Sequence, residues 1–317
     1  MSLRAIRLVS AAGVLWTLSA VSAAAFDLQA HRGGRGLAPE NTLAAFRQTM
    51  ALGPVTLEGD LGITGDGVVV LSHDSRLNPD LVRDTDGKWI EPPGPRLIGL
   101  TLDELKRFDI GRLNPETKYG RRLPEQKAVD GERFPTLAEL YALGGKDRRY
   151  NLETKIDPTR PDETVSPQEF VKVVIDEVRK AGMEKNTSIQ SFDWRSLVEV
   201  KRIAPEIETV CLTMETRRLS TIGPKPSPWL AGFDVTPGGT LQEQVKAAGC
   251  STWSPAWTNL TADNVAHAHQ LGLKVIPWTV DEVVDMKMVI DLKVDGMITD
   301  YPDRGLQIMK EKGLKLP

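Results

Sequence analysis

Short apolar runs alternate with amphipathic stretches along most of the chain after residue 26. The runs have the length of strands, and we predict strands at 27–31, 55–61, 149–155, 187–192, 208–213, 251–255, 273–279 and 295–299. Apolar residues at helical spacing predict helices at Pro167–Ala181, 193–203, 242–248 and 262–271. Eight strand and helix units are typical of a parallel (β/α)8 TIM barrel. A ninth candidate strand, Phe233–Val235, leaves the strand register open.

One interval interrupts this alternation. Residues 75–146 contain many of the prolines, several turn signals and a mixed-charge stretch at 112–133. Two short helices are indicated within it by capping-box pairs, Thr101 with Glu104 and Thr136 with Glu139. We therefore predict an ordered insertion that forms a cap near the mouth of the barrel.

The first 25 residues differ from the rest of the chain. Arg4 and Arg7 precede an Ala-rich apolar run at 8–21, and Ala23 and Ala25 supply a small-x-small pattern. This arrangement is typical of a secretory signal peptide, because the run is shorter than the roughly 20 residues that a membrane-spanning helix needs. We predict cleavage near Ala25 and export to the periplasm or the medium, without stable membrane insertion afterwards. An uncleaved anchor is the alternative.

Removal of residues 1–25 would leave 38 basic and 43 acidic residues, a formal charge of −5. Because the chain is acidic, we expect no nucleic-acid partner. Cys211 and Cys250 are the only cysteines, and export would permit a disulfide. Nothing in the sequence brings their Cα atoms within bonding distance, so we predict two separate buried thiols. The oligomeric state is left undetermined.

Polar residues interrupt the apolar pattern at or near the ends of several predicted strands. Glu58 and Asp60 lie two apart in LEGDLGIT, so both carboxylates project to one face of a strand. Comparable positions are occupied by His31, His73, Asp74, Glu153 and Lys155. Barrel enzymes build their active sites from the carboxyl ends of strands, so we expect His31, Glu58, Asp60, His73 and Glu153 to converge. Solvated strand ends with local salt bridges are the alternative interpretation.

The residue types indicate chemistry at phosphorus. Glu58, Asp60 and Glu153 would repel one another without a cation, and their oxygen ligands favour one hard divalent ion, Ca²⁺ or Mg²⁺, over Zn²⁺. Arg32 and Lys155 could hold an anion beside that ion. Histidine, with an unperturbed pKa of about 6.5, can serve as acid or base near neutrality. The pattern therefore favours a phosphodiester as substrate.

Six segments also carry a family resemblance: AHRGGRGLAPENTLAAF, LEGDLGITGDGVVVLSHD, NLETK, SIQSFDW, VIPWTVD and DGMITDYPD. In order, and over nearly the whole chain after residue 25, they resemble the successive motifs of the glycerophosphodiester phosphodiesterase family. The resemblance implies a (β/α)8 barrel with an insertion after the His-Asp motif, which coincides with 75–146. It also implies a small-molecule glycerophosphodiester as substrate and one divalent cation as cofactor.

The resemblance assigns roles to individual residues. His31 and His73 would form the acid/base pair, Glu58, Asp60 and Glu153 would bind the metal, Arg32 and Lys155 would contact phosphate, and Trp278 would form a pocket wall. The glycerol 2-hydroxyl would attack phosphorus and expel the alcohol, and water would open the cyclic phosphate to sn-glycerol 3-phosphate. Which histidine acts first is left open. Arg35 departs from the small residue common at its position, which bears on the head groups accepted.

Some other residues have simpler explanations. His267 and His269 lie two apart in a predicted helix, so they point in different directions and are expected at the surface. Asn41 is predicted to cap the helix that follows it, although it also matches the family motif. Trp253 is expected in the core.

Two alternatives to a secreted glycerophosphodiesterase stay open. The first is a lysophospholipase D or phospholipase activity at membranes, which an apolar rim on the insertion would favour; its few aromatic residues, such as Trp89 and Phe108, are not clustered. The second is a non-catalytic binding protein for a phosphate ligand on the same scaffold. The presence of both histidines argues against it.

Overall fold

A computed structural model describes residues 25–217, 219–235 and 239–317. Apart from Ala25, the predicted signal peptide lies outside these ranges. The strands of the described residues are β1 Asp27–Ala30, β2 Thr56–Ile63, β3 Val69–Leu71, β4 Tyr150–Thr154, β5 Thr187–Ser191, β6 Glu208–Thr213, β7 Thr252–Pro255, β8 Lys274–Val275 and β9 Gly296–Thr299. Their helices are α1 Leu43–Leu52, α2 Leu102–Leu105, α3 Leu137–Gly144, α4 Pro167–Ala181, α5 Trp194–Ile203, α6 Leu241–Ala247, α7 Ala262–Gln270, α8 Val283–Asp291 and α9 Pro302–Glu311.

Eight of these strands form a nearly closed parallel barrel. They are hydrogen-bonded in the order β8, β7, β6, β5, β4, β2, β1, β9, and β3 pairs antiparallel with β2 outside this path. The two ends of the sheet are linked by hydrogen bonds from Ile298 N to Pro277 O and from Val280 N to Ile298 O, both 2.9 Å. The predicted (β/α)8 barrel is therefore confirmed.

The outer helices follow from amphipathic periodicity and capping. In α4 the residues Phe170, Val174 and Val178 are buried at helical spacing. Ser166 accepts the backbone N–H of Glu169 at its start, and Gly182 ends it with φ 63°, a conformation that favours glycine. Burial of this apolar stripe holds α4 on the barrel. Because the barrel strands are parallel, their carboxyl ends meet at one mouth.

Two predicted strands differ from the structure. Phe233–Val235 forms a short 3-10 helix, which settles the strand count at eight in the barrel. The predicted strand 273–279 is regular only at Lys274–Val275. Pro277 has no N–H to donate to a ladder, so the following residues bond to β9 without regular pairing.

A long segment separates β3 from β4 and lies beside the barrel mouth. Val70 of β3 packs with the small apolar core of this segment, which consists of Leu77, Val82, Leu97, Leu105, Ile110 and Phe134. Both predicted capping boxes are present, at Thr101 and Thr136. The helix that follows Thr136, α3, falls inside the predicted interval 75–146 but contacts α1 and α4 and so belongs to the outer layer of the barrel.

The two cysteines were predicted to be separate thiols, and that prediction is wrong. Cys211 in β6 and Cys250 just before β7 form a disulfide, with their Cα atoms 5.9 Å apart. Parallel pairing of β6 with β7 brings the two positions together, which residue spacing alone could not show. Among the described residues, none of the helices combines the length and apolar character needed to cross a membrane.

Candidate active site

The carboxyl ends of the strands surround a cavity of about 350 Å³. Seven of the eight predicted site residues line it: His31, Arg32, Glu58, His73, Glu153, Lys155 and Trp278. The eighth, Asp60, is fully buried beneath it. The structure therefore brings together every residue that the sequence singled out for the site.

Three carboxylates converge at the floor of the cavity. Glu58, Asp60 and Glu153 each offer an oxygen within 4.8 Å of the others, and all three side chains are buried. The two-residue spacing in β2 puts Glu58 and Asp60 on one face, and the sheet register pairs Asp60 with Glu153 of β4. Strand geometry alone thus builds the triad.

The charges in the triad are not balanced by the protein. Burial, followed by the neighbouring Asp60 carboxylate, raises the pKa of Glu58 well above its usual range. Burial also raises the pKa of Glu153, despite the ammonium of Lys155. For Asp60, burial acts upward, but Arg32 and Lys155 outweigh it and hold the pKa of that carboxyl below its usual range.

Neighbouring groups fix the orientation of the three carboxylates. Glu58 accepts the backbone N–H of Arg32 and the side-chain amide of Gln190, each at 2.7 Å. Asp60 Oδ2 accepts from Asn41 Nδ2 at 2.9 Å, and Asp60 Oδ1 is one of the few buried polar atoms in the described chain without a hydrogen-bond partner. An unsatisfied buried oxygen within a cluster of three carboxylates fits a site for a hard divalent cation.

Asn41 corrects one prediction. It does not cap α1; that role belongs to Thr42, whose side chain accepts the backbone N–H of Ala45 at 3.1 Å. Asn41 instead bonds to Asp60 twice, through its amide and through its carbonyl oxygen, which accepts Asp60 N at 3.2 Å. The match to the family motif was therefore the better guide to this residue than its position before a helix.

The two histidines both line the cavity, and each has a carboxylate on Nδ1. His31 Nδ1 lies 2.6 Å from Asp300 Oδ1, and His73 Nδ1 lies 2.8 Å from Asp74 Oδ1. Because Nδ1 is engaged, Nε2 is the ring nitrogen that can reach a substrate in each case. Burial lowers the pKa of His31 to about 4, and the adjacent Arg32 acts in the same direction against Asp300.

The cations beside the triad are tied to carboxylates. Arg32 Nη1 donates to Glu40 Oε1 at 2.7 Å, and its Nε lies 3.0 Å from Asp60 Oδ2. Lys155 Nζ donates to Glu153 at 2.7 Å. Both side chains are nearly buried at the cavity wall, so each can also contact an anion placed above the triad.

Several residues of the site were not predicted. Asp300, which follows β9, orients His31, and Gln190 at the end of β5 orients Glu58. Both occupy strand ends, so the rule that selected Glu58 could have selected them. Tyr119, from the segment between β3 and β4, donates to Glu40 and accepts from Arg35 at 2.8 Å. No local pattern in the sequence signals that long-range contact.

The aromatic and surface residues follow the predictions. Trp278 lies on the cavity wall, with Nε1 donating to Ser254 O at 3.0 Å and its ring edge-on to Phe192. Trp253 is core, as expected. His267 contacts Thr240, and His269 contacts Asp295, both at the surface, so the two rings have separate partners.

Comparison with known proteins agrees with this geometry. The family model described as the glycerophosphoryl diester phosphodiesterase family matches residues 31–304. The chain belongs to this family. A glycerophosphodiester phosphodiesterase of Caldanaerobacter subterraneus is 29% identical over 285 residues, which cover 90% of this chain and 98% of the relative. This member of the family is thus an enzyme of the phosphoric diester hydrolase class.

Relatives of the family with solved structures share the barrel. A Silicibacter pomeroyi protein that carries the family name has 35% sequence identity and a TM-score of 0.83 over 92% of this chain and 96% of its own. An Oleispira antarctica phosphodiesterase, solved in complex with the product sn-glycerol-3-phosphate, has 22% identity and a TM-score of 0.67 over 90% of this chain and 97% of its own. The latter likeness concerns the fold.

Proposed function

We propose that this protein hydrolyses glycerophosphodiesters to sn-glycerol 3-phosphate and an alcohol, with one divalent cation held by Glu58, Asp60 and Glu153. The observation that carries the proposal is the convergence of three buried carboxylates with two histidines whose Nδ1 atoms are fixed by aspartates. The Oleispira relative that binds sn-glycerol-3-phosphate supports the same product.

The acidic triad suits Ca²⁺ or Mg²⁺, since all of its ligand atoms are carboxylate oxygens. A bound cation supplies Lewis-acid polarisation of a phosphoryl oxygen. Lys155 and Arg32 flank the triad and would hold the remaining phosphoryl oxygens by charge-assisted hydrogen bonds. The cation would also offset the burial and the repulsion by Asp60 that together raise the pKa of Glu58.

The two histidines divide the proton transfers. His31 is neutral near pH 7 because its pKa is about 4, so its Nε2 takes the proton of the glycerol 2-hydroxyl as that oxygen bonds to phosphorus. His73 gives a proton to the alcohol oxygen as its bond to phosphorus breaks. Water then opens the cyclic phosphate: His73 takes the proton of the water, and His31 returns one to the glycerol oxygen.

The same proposal includes export. The signal-like pattern at 1–25 supports it. The Cys211–Cys250 disulfide supports it as well, because such bonds persist in oxidising compartments outside the cytoplasm.

Release of glycerol 3-phosphate from glycerophosphocholine tests the proposal, with the metal-free protein assayed in EDTA, Ca²⁺ or Mg²⁺. We expect product only with a divalent cation, and a loss in kcat/KM of about a hundredfold or more in His31→Ala. His267→Ala, a surface histidine, is the matched control and should retain full activity. Equal turnover in EDTA, or an active His31→Ala protein, would contradict the mechanism.

Binding of the cation can be tested without activity. Ca²⁺ at about a hundred times its Kd should stabilise the fold by about 3 kcal/mol, seen as a rise in Tm. The Glu58→Gln, Glu153→Gln double variant removes two of the three charges and should lose that rise while remaining folded. A Tm shift that persists in the double variant would place the cation elsewhere.

A further inference from the structure

A second cavity of about 340 Å³ adjoins the active site on the side of His73. The two cavities share a wall made of His73, Glu153, Lys155, Phe192, Met214 and Trp278. Of these two cavities, only the first is lined by His31, Arg32 and Arg35. A phosphodiester held with its phosphate over the triad would therefore place one of its two ester substituents in each cavity.

The two cavities differ in charge. Beyond the shared residues, the first cavity is lined by the cations Arg32, Arg35 and Arg122 against Glu58 and Asp281. The second is lined by Asp74, Asp157 and Glu163, and among the described residues Arg160 is its only added cation. An anion is thus favoured on the first side and a cation on the second, which is the charge distribution of a zwitterionic substrate.

Partial neutralisation does not remove this difference. Arg160 Nε lies 3.5 Å from Asp157 in an exposed pair, where such contacts are weak. Arg76 bonds Glu163 at 2.9 Å from outside the cavity. Asp74 is bonded to His73, whose ring separates the two cavities.

Aromatic rings complete the second cavity. Phe192 stands edge-on to Trp229 and to Trp278, with ring centroids 6.4 and 5.2 Å apart. Trp229 belongs to the second cavity only. Carboxylates together with aromatic rings attract ammonium groups through charge and through cation–π contact, and the apolar surface accommodates methyl groups on nitrogen.

We propose that the second cavity binds the alcohol half of the substrate and selects head groups with a positively charged amine, primary or quaternary. The inference rests on the proposed hydrolysis, because it assigns the leaving group to the side of His73, which protonates it. The glycerol half then lies beside His31, the group that takes its proton.

The test compares kcat/KM for glycerophosphocholine with kcat/KM for glycerophosphoglycerol, whose head group is neutral. We expect the wild-type protein to prefer the choline substrate roughly tenfold, and the Asp157→Asn, Glu163→Gln double variant to lose most of that preference. Both substitutions keep the side-chain oxygens that accept bonds from Thr159 and Arg76. Asp162→Asn is the matched control, because this exposed neighbour lines neither cavity and should leave the ratio unchanged.

Inhibition gives a second measurement on the wild-type protein alone. Choline should compete with substrate roughly tenfold better than its neutral tert-butyl analogue. Equal inhibition, equal turnover of the two substrates, or an unchanged ratio in the double variant would overturn the head-group proposal and leave the hydrolysis intact. Absence of turnover with either substrate would instead contradict the proposed function on which it rests.

Discussion

At the scale of single residues, Asp281 is an ionisable group in an unfavourable environment. Its carboxyl is largely buried next to Asp300, the partner of His31, and burial together with that like charge raises its pKa to about 7. The unfolded chain has the ordinary pKa of 3.8 at this position. The folded protein thus holds this proton more tightly, so the stability it confers falls as the pH rises from about 4 to about 7.

We expect Asp281→Asn to leave the free energy of unfolding nearly unchanged at about pH 4 and to raise it above pH 7 by on the order of 2 kcal/mol. Asparagine keeps the oxygen that accepts the backbone N–H of Asp300 at 2.8 Å. Urea unfolding of both proteins at several pH values measures the difference in their free energies of unfolding. The titration of the metal triad cancels in this difference, because both proteins contain the same triad. The exposed Asp86→Asn should show no such pH dependence, and equal stability of wild type and Asp281→Asn at pH 8 would refute the expectation.

At the scale of elements, several contacts join the segment between β3 and β4 to the loop that follows β1, and among them the Tyr119 side chain reaches the charged groups of the active site. Tyr119 donates to Glu40 and accepts from Arg35, and Glu40 in turn holds Arg32 beside Asp60. Its hydroxyl thus ties the added segment to the loop that follows β1. Loss of that tie should affect both the local opening of the segment and the positioning of Arg32.

We expect Tyr119→Phe to increase tryptic cleavage at Lys118, Arg121 and Arg122 about tenfold. Without the hydroxyl, local opening of the segment costs less free energy, because the hydrogen bonds to the charged Glu40 and Arg35 are already absent. kcat/KM should fall in the same variant, and a substrate analogue that orders Arg32 should restore protection. Tyr141→Phe in α3, which removes a buried hydroxyl bonded to Thr187, is the control. Unaltered cleavage in Tyr119→Phe would show that the other contacts, such as that of Gln126 with Arg35 O, hold the segment without the hydroxyl.

Elements also show why the sequence predicted some of the site and not the rest. Glu58, Asp60 and Glu153 interrupt apolar strands, so their period and position mark them in the sequence alone. Asp300 and Gln190 sit at strand ends as well, but their importance lies in contacts to His31 and Glu58 across the barrel. Asn41 has a local explanation as a cap, and that local explanation hid its contact with Asp60. Long-range partners follow from strand order and register, which residue periodicity leaves undetermined.

At the scale of the whole molecule, the disulfide joins Cys211 in the barrel wall to Cys250, which lies 39 residues further along the chain. Cys211 alternates with Leu212 along β6: Leu212 lines the active-site cavity, and Cys211 is buried in the apolar layer between strands and helices. The bond therefore constrains the fold from the side opposite the catalytic groups. Its loss should act on stability rather than on chemistry.

We expect the Cys211→Ala, Cys250→Ala double variant to lose about 2–4 kcal/mol of unfolding free energy, since a loop of this length is no longer closed in the unfolded chain. kcat/KM at 25 °C should stay within about twofold of wild type, because no residue lining the cavity changes. Urea unfolding with and without reductant measures the effect: reductant should destabilise the wild type to a similar extent and leave the double variant unchanged. If reductant had no effect on the wild type, the bond would not form in solution, and the support it gives to export would be withdrawn.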